Sequence, residues 1–344
     1  MAHGDPILWS LYVYAPNKGA PIFFTIAYAL SAGVHIWQCY TRCELMPQPS
    51  RYSSFRLIGL YPLCGVIFTL GYALREYGAY HYLYNEEDNG PLIGYILSQV
   101  FVYICPPLLE LANYHILARI FYYIPYLAPL SPGRVLSTFG ALMVLVEVLN
   151  ALGVSLGSNP SSSSTQQSIG SNMTIAALSL QVVVIATFGL LAGLFQYRIR
   201  REGISSTKVT VPLRTLYASM GLILIRCIYR LVEHAGHTAI NITDIDVLRE
   251  LTPVLRYEWF FYVFEASLML INMALWNIWH VGQYLPRSHL VYLRRDGVEA
   301  VAEEGKDERS FARKIGYLMS LGVLFRKKEA YRDLSAASDG IQLG

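Results

Sequence analysis

Glutamate and arginine side chains stand inside stretches of this sequence that are otherwise apolar, and their spacing puts them on shared helical faces. At 100° per residue, Arg226, Arg230 and Glu233 fall within about 60° of one another on one face. Glu258, Glu265 and Asn272 follow at intervals of seven and form a second stripe. Arg75 and Glu76 close another apolar stretch, and Glu110, Asn113, His115, Glu147, Asn150, His35 and Gln38 are spread over three more. An ionised group at the centre of a membrane helix costs about 2.5–3.5 kcal/mol, so it normally faces protein, water or a partner. Carboxylates so placed can hold an ammonium group, and arginines beside them keep them ionised while no ligand is there. The plainer reading is that Arg226 or Arg230 ties to Glu233 and Glu265 as a structural ion pair, with Asn and Gln bridging helices. So many charges on facing stripes favour a polar pathway or headgroup site, with Glu265, Glu233, Arg226 and Arg230 at its core. Pro106 and Pro107 remove backbone donors in mid-stretch, which predicts a kink or a lined cavity there.

The elements that carry these residues are seven apolar stretches, at 21–42, 56–78, 91–121, 134–157, 174–196, 212–234 and 258–281. About twenty apolar residues make a helix that crosses the hydrocarbon core, and lipid offers the backbone no partners, so each stretch must be helical. Charged residues are 15% of the chain, well below the roughly one quarter of a soluble domain, which argues the same way. The reading is an all-α polytopic membrane protein: an N-terminal segment over 1–20, seven transmembrane helices over 21–281, and a polar basic tail over 282–344. Tyr14, Tyr80, Tyr82, Tyr122, Tyr123, Tyr257 and Tyr284 lie near span ends, as an interfacial aromatic belt would. No cleavable signal peptide opens the sequence, so the first helix is expected to direct insertion.

Basic residues set the orientation. Apart from Arg75, Arg226 and Arg230 inside spans, only Lys18, Arg249 and Arg256 belong to the N-terminal segment and the loops after spans two, four and six. The others belong to the loops after spans one, three and five and to the tail. Positive flanks stay cytoplasmic, which predicts the N-terminus outside and the C-terminus inside. The sequons at Asn172 and Asn241 then both face outward and are candidate glycosylation sites. A Ser-rich run over 158–171 reads as a flexible outer linker. In the tail, 311–328 mixes apolar and basic residues, which suits a basic surface helix on the inner leaflet, a dock for a cytoplasmic partner, or equally a disordered tail with helical tendency. Cys39, Cys43, Cys64, Cys105 and Cys227 lie in or beside spans, which predicts packed free thiols rather than disulfides or metal sites.

The sequence resembles the fungal lipid-translocating exporter family, the RTA-like group that includes the yeast long-chain-base-resistance and 7-aminocholesterol-resistance proteins. Tyr12, Val13, Tyr14, Ala15 and Pro16, followed by Phe23, His35 and Gln38, are similar to its opening. Gly71, Tyr72 and Arg75 resemble its second-helix motif, and Pro107, Tyr114 and Arg119 its third helix. Helices six and seven carry the most specific resemblance, in Arg226, Tyr229, Arg230 and Glu233 and in Glu258, Trp259, Tyr262 and Glu265. The chain departs from the family pattern at Phe68, where an acid is usual, and at Glu147 and Glu265, where Asp is usual. Glu110 stands where small residues are expected. The resemblance implies movement or export of sphingoid long-chain bases or related amphiphiles at the plasma membrane, tolerance of toxic lipophiles, and no cofactor or enzymatic activity. The residues it points to are Arg75, Glu110, Tyr114, Glu147, Arg226, Arg230, Glu233, Glu258, Glu265 and His35.

Two other classes fit parts of the pattern. A seven-helix receptor or lipid sensor shares the topology, although no Lys lies inside a span to carry retinal. A zinc-dependent lipid hydrolase would gather His234, His237 and His81 at the outer face, with Glu233 activating water, while His35 and His280 lie too far toward the other side to join. No phosphate-binding Gly-Lys loop occurs, which excludes ATP hydrolysis by that route, and the basic residues leave nothing for nucleic acid to explain.

Overall fold

A computed structural model describes residues 5–43, 59–84, 87–157, 164–204, 206–236, 244–286, 291–295 and 297–301. Seven long helices dominate these residues: α1 Ala20–Cys43, α2 Leu60–Tyr80, α3 Gly90–Tyr123, α4 Pro132–Gly157, α5 Ser164–Arg201, α6 Thr207–Ala235, and a final rod described below. Two short helices, α7 Ile245–Glu250 and α8 Pro253–Arg256, precede the rod. The rod, α9, begins at Glu258–Phe261, opens into a π-turn over Tyr262–Ser267 and continues as Leu268–Ile278. Six of the seven long helices are apolar and long enough to cross a membrane, α2 being the exception in composition. The chain is a multi-pass membrane protein. Its outward surfaces agree, with Leu30, Leu190 and Ile278 among the large apolar side chains left uncovered.

Residue pairs give the directions of the helices. Tyr28 stacks on Phe68 and Phe24 on Tyr72, so α2 runs antiparallel to α1. Cys64 faces Cys105 and Tyr77 packs on Gly94, so α3 turns back along α2. The chain then winds up and down, α6 meeting α9 antiparallel through Arg226 with Glu265 and Tyr229 with Phe264. The ring closes where α9 returns to α1 in parallel. Tyr28 donates to Ala266 O at 2.8 Å, His35 Nε2 to Met273 O at 3.3 Å and Gln38 Nε2 to Asn277 O at 2.7 Å. Such side-chain-to-carbonyl ties hold helices together where lipid supplies no hydrophobic drive.

Three expectations change. The run over 158–171 is not a linker throughout, because α5 begins at Ser164. The extension forms because α4 and α5 touch backbone to backbone at Gly153, where any Cβ would stand 2.7 Å from Thr174 N and 2.8 Å from Gly170 O. Asn172 therefore lies on a helix, exposed, rather than in a loop. Pro106 and Pro107, the expected kink position, lie buried inside the continuous helix α3. Among the tyrosines expected at the interface, Tyr123 is buried and Tyr14 bonds inward to Arg75. Four cysteines, Cys39, Cys64, Cys105 and Cys227, are buried free thiols, as the sequence predicts.

The start of the expected tail is folded onto the helices. Strands β1 Val291–Leu293 and β2 Glu299–Val301 pair antiparallel, with Tyr292 opposite Ala300. Gly297, at φ +80°, supplies the left-handed residue that their turn needs. Arg119 donates to Pro286 O at 2.8 Å, while Glu299 accepts from Tyr123 at 2.8 Å and from Lys208 at 2.7 Å. The hydrogen bond from Lys208, and then that from Tyr123, hold the Glu299 carboxyl below its ordinary pKa. The basic stretch over 311–328, Asn241 and His237 lie outside the described residues.

Candidate functional site

The ionic side chains of the bundle form a descending series of layers. At the Arg75 end, Arg75 reaches Glu258 at 3.4 Å, Tyr262 at 3.3 Å and Tyr14 at 3.2 Å, and its guanidinium lies 4.0 Å above the Phe261 ring. Glu258 also accepts from the Asn17 backbone N–H at 2.7 Å, so the N-terminal segment is sewn over this layer. Residues Trp9 and Val13 of that segment have φ near +62° and +71°. Positive φ is uncommon outside glycine and an outlier for β-branched valine, so the segment is held in a conformation that the surrounding contacts must enforce.

Beneath it, Arg230 bonds Glu233 on its own helix and His234 Nε2 at 3.1 Å, and its guanidinium stands 4.2 Å over the Tyr103 ring. Deeper still, Arg226 Nε lies 2.9 Å from both carboxylate oxygens of Glu265, which is fully buried. Glu265 comes from the π-turn, whose wider coil re-aims one turn of α9 and is frequent at functional sites. Each of Glu233, Glu258 and Glu265 thus has an arginine partner. Removing one member of a buried pair leaves an uncompensated charge, so the Arg75–Glu258 and Arg226–Glu265 pairs fix α2 and α6 against α9.

The remaining two acids differ. Glu110 on α3 is buried and accepts from the Tyr114 hydroxyl and from Gln181 Nε2, the latter at 2.9 Å, both uncharged donors. Glu147 on α4 is half-buried and makes no hydrogen bond or ion pair among the described residues. It sits in the electrostatic reach of Glu110 and Arg226 and at the edge of the exposed apolar strip of Val144, Leu145 and Val148. A fourth cluster ties α2, α3 and α6 together: Asn113 Nδ2 donates to Ser219 Oγ at 2.8 Å, and Tyr61 lies 3.5 Å from Asn113 Oδ1. His35 stacks on Tyr61 and leaves its Nδ1 buried without a partner.

The sequence-predicted residues therefore fall into one connected series running from Arg75 and Glu258 through Arg230 and Glu233 to Arg226, Glu265, Glu110, Tyr114 and Glu147. His35 stands apart, on the opposite flank against α9. Sequence reasoning missed Gln181, Tyr103 and Asn17, and quoted Tyr262 only as part of the family resemblance. Gln181 carried a signal, a lone amide in an apolar span, whereas Asn17 acts through its backbone and had none. His234, considered for zinc, is taken up by Arg230.

Most of the chain is similar to known proteins. Residues 62–288 match the family described as RTA1 like protein. The chain is 50% identical over 93% of its length to the lipid-translocating exporter-like protein RTA1 of Leptosphaeria maculans, and spans 60% of that protein. It is 31% identical over 70% of its length to the protein of the same name from Ajellomyces capsulatus, covering 77% of it, and 26% identical to the probable lipid transporter atnI of Emericella nidulans, over 80% of this chain and 68% of that protein. No solved structure matches. The layered ionic residues, most of which lie within the matched region, are those of a chain that belongs to the RTA1-like family.

Proposed function

We propose that this protein moves amphiphiles with an amine headgroup, such as sphingoid long-chain bases, across the bilayer, and so protects cells from toxic lipophiles. One observation carries the reading: Glu110 and Glu147 are membrane-embedded acids without a basic partner, while every other acid of the series has an arginine. An uncompensated carboxylate at that depth is costly, and an ammonium ligand would offset the cost. Glu147 borders the lipid-facing strip of α4, so a single-chain base can bring its ammonium to the carboxylate while its tail stays among Val144, Leu145 and Val148. Glu110 lies one step inward, and Arg226 beyond it blocks a cation from going further except by exchanging for the guanidinium at Glu265. The relatives named as lipid-translocating exporters and a probable lipid transporter support lipid movement as the class of activity.

The same reading has seven crossings, with the N-terminus outside and the C-terminus cytoplasmic, in the plasma membrane. The parallel contact of α1 with α9, and α2 running antiparallel between α1 and α3, support an odd number of crossings that includes α2. Helix α5, at 38 residues, is about 57 Å long against a core of about 30 Å, so its Asn172 end projects beyond the hydrocarbon when its arginine end lies at the opposite face. Glycan on Asn172 or Asn241 of the protein expressed in a fungal host, removed by an endoglycosidase, supports this orientation. Glycan gained at a sequon engineered into the turn between α5 and α6 contradicts it.

The functional test is transbilayer movement of a fluorescent long-chain base in liposomes holding the purified protein, without ATP. Faster movement than in empty liposomes supports a translocator. Saturable binding without movement makes the protein a lipid sensor instead.

A further inference from the structure

A cavity of about 320 Å3 opens between the end of α5 and the start of α6, lined by Gln196 and Arg200 on one side and by Thr210 and Arg214 on the other. That volume is within the range of small-molecule sites. No carboxylate lines it, and neither Arg200 nor Arg214 makes a side-chain hydrogen bond or ion pair among the described residues. Of the nearby basic residues, Arg198 is committed to Leu127 O and Lys208 to Glu299. Gly203, at φ +69°, ends α5 with its N–H on Arg200 O, which turns the chain sharply and leaves the mouth open above it. One turn deeper on α6, the Tyr217 hydroxyl faces α5 and is buried without a partner.

The surroundings indicate what approaches this cavity. On α6, Ala218, Ile225 and Ile228 form an exposed strip at helical spacing that leads to Arg214, and on α5 Tyr197 is exposed one turn before Arg200. An acyl chain lying on the α6 strip ends with its headgroup at Arg214, in the cavity that Arg200 also lines. Guanidinium groups grip phosphate through paired N–H donors, and two of them lining one cavity without an acid favour an anion.

We infer that this cavity binds the phosphate of an anionic phospholipid from the adjoining leaflet, at a site separate from the Glu110 and Glu147 acids. The purified full-length protein in phosphatidylcholine nanodiscs is titrated with phosphatidic acid, and in parallel with inorganic phosphate. Phosphatidic acid is expected to bind saturably, and Arg200→Gln or Arg214→Gln each to weaken it by about tenfold, the worth of one charge-assisted hydrogen bond. Arg201→Gln, outside the lining, is expected to leave it unchanged. Both lining arginines are exposed, so the variants are expected to unfold at the wild-type temperature. Equal binding by wild type and the Arg200→Gln/Arg214→Gln double variant overturns the site. An equal loss in Arg201→Gln overturns it too, since that marks a diffuse basic surface. Saturation by inorganic phosphate alone, with no preference for the lipid, overturns the lipid assignment.

Discussion

Arg226 on α6 places its Nε 2.9 Å from each carboxylate oxygen of Glu265 on α9, with Glu265 fully buried. The pair joins the two helices that carry the densest ionic pattern, at the one place where the backbone of α9 departs from α-helical geometry. With its carboxylate so held, Glu265 acts first as a structural residue, and an incoming cation has to compete with a guanidinium for it.

Glu265→Gln is therefore expected to destabilise the protein by roughly 3–5 kcal/mol, because it strands a buried charge. Replacing both partners, Arg226→Leu with Glu265→Leu, is expected to recover most of that loss. Thermal unfolding of the purified variants in one detergent measures both. Equal stability of Glu265→Gln and wild type would remove the pair as a structural tie.

The opposite sign is expected at Glu147. Glu147→Gln discards an uncompensated charge at membrane depth, so thermal stability should hold or rise. Growth protection against long-chain bases should nevertheless fall by about tenfold in the tolerated concentration, the cost of losing one ionic contact to the headgroup. Unchanged protection by a well-expressed variant would take Glu147 out of the site.

Arg75 organises the strained N-terminal segment through Tyr14 and, via Glu258, through the Asn17 backbone. Arg75→Met keeps much of the packing against Phe261 but removes the donors. Amide exchange at Leu11, Val13 and Asn17 is expected to quicken at least tenfold while the centre of α3 keeps its protection. Unaltered exchange would mean that the segment is held by something other than Arg75.

The hairpin should respond to acid. The carboxyl of Glu299 has a lowered pKa in the folded state, so its contribution is complete above the unfolded carboxylate value, near 4.3, and is lost as pH falls through the lower folded value. Protection of the Val291–Leu293 amides, corrected for intrinsic exchange, should be level from pH 7 to about 5 and should fall severalfold in the acid range below about 4. Glu299→Gln should show the reduced protection at every pH. A wild-type profile without the acid step would dismiss the role of the carboxylate.

Much of this was legible in the sequence, because bilayer thickness and backbone satisfaction leave long apolar runs few options. The shared faces of Arg226, Arg230 and Glu233, and of Glu258 and Glu265, were readable from helical spacing alone. Which acid takes which arginine was not. That depends on the π-turn over Tyr262–Ser267, which no periodicity announces, and on the register of α6 against α9. The length of α5 was hidden because a serine-rich composition reads as loop, whereas backbone contact at Gly153 favours helix. The hairpin escaped notice because two strands of three residues each leave almost no pattern. Asn17 could not be found at all, since its contribution is a backbone N–H.

The central claim is that the carboxylates of Glu110 and Glu147, neither hydrogen-bonded nor ion-paired to an arginine, receive an ammonium headgroup. Its most direct test compares a fluorescent long-chain base with its N-acetylated, uncharged analogue in liposomes containing wild type or the Glu110→Gln/Glu147→Gln double variant. The account predicts that wild type speeds the cationic base alone and that the double variant, equally stable, loses at least about nine-tenths of that rate. Equal acceleration of base and neutral analogue, or a double variant as fast as wild type, would contradict it.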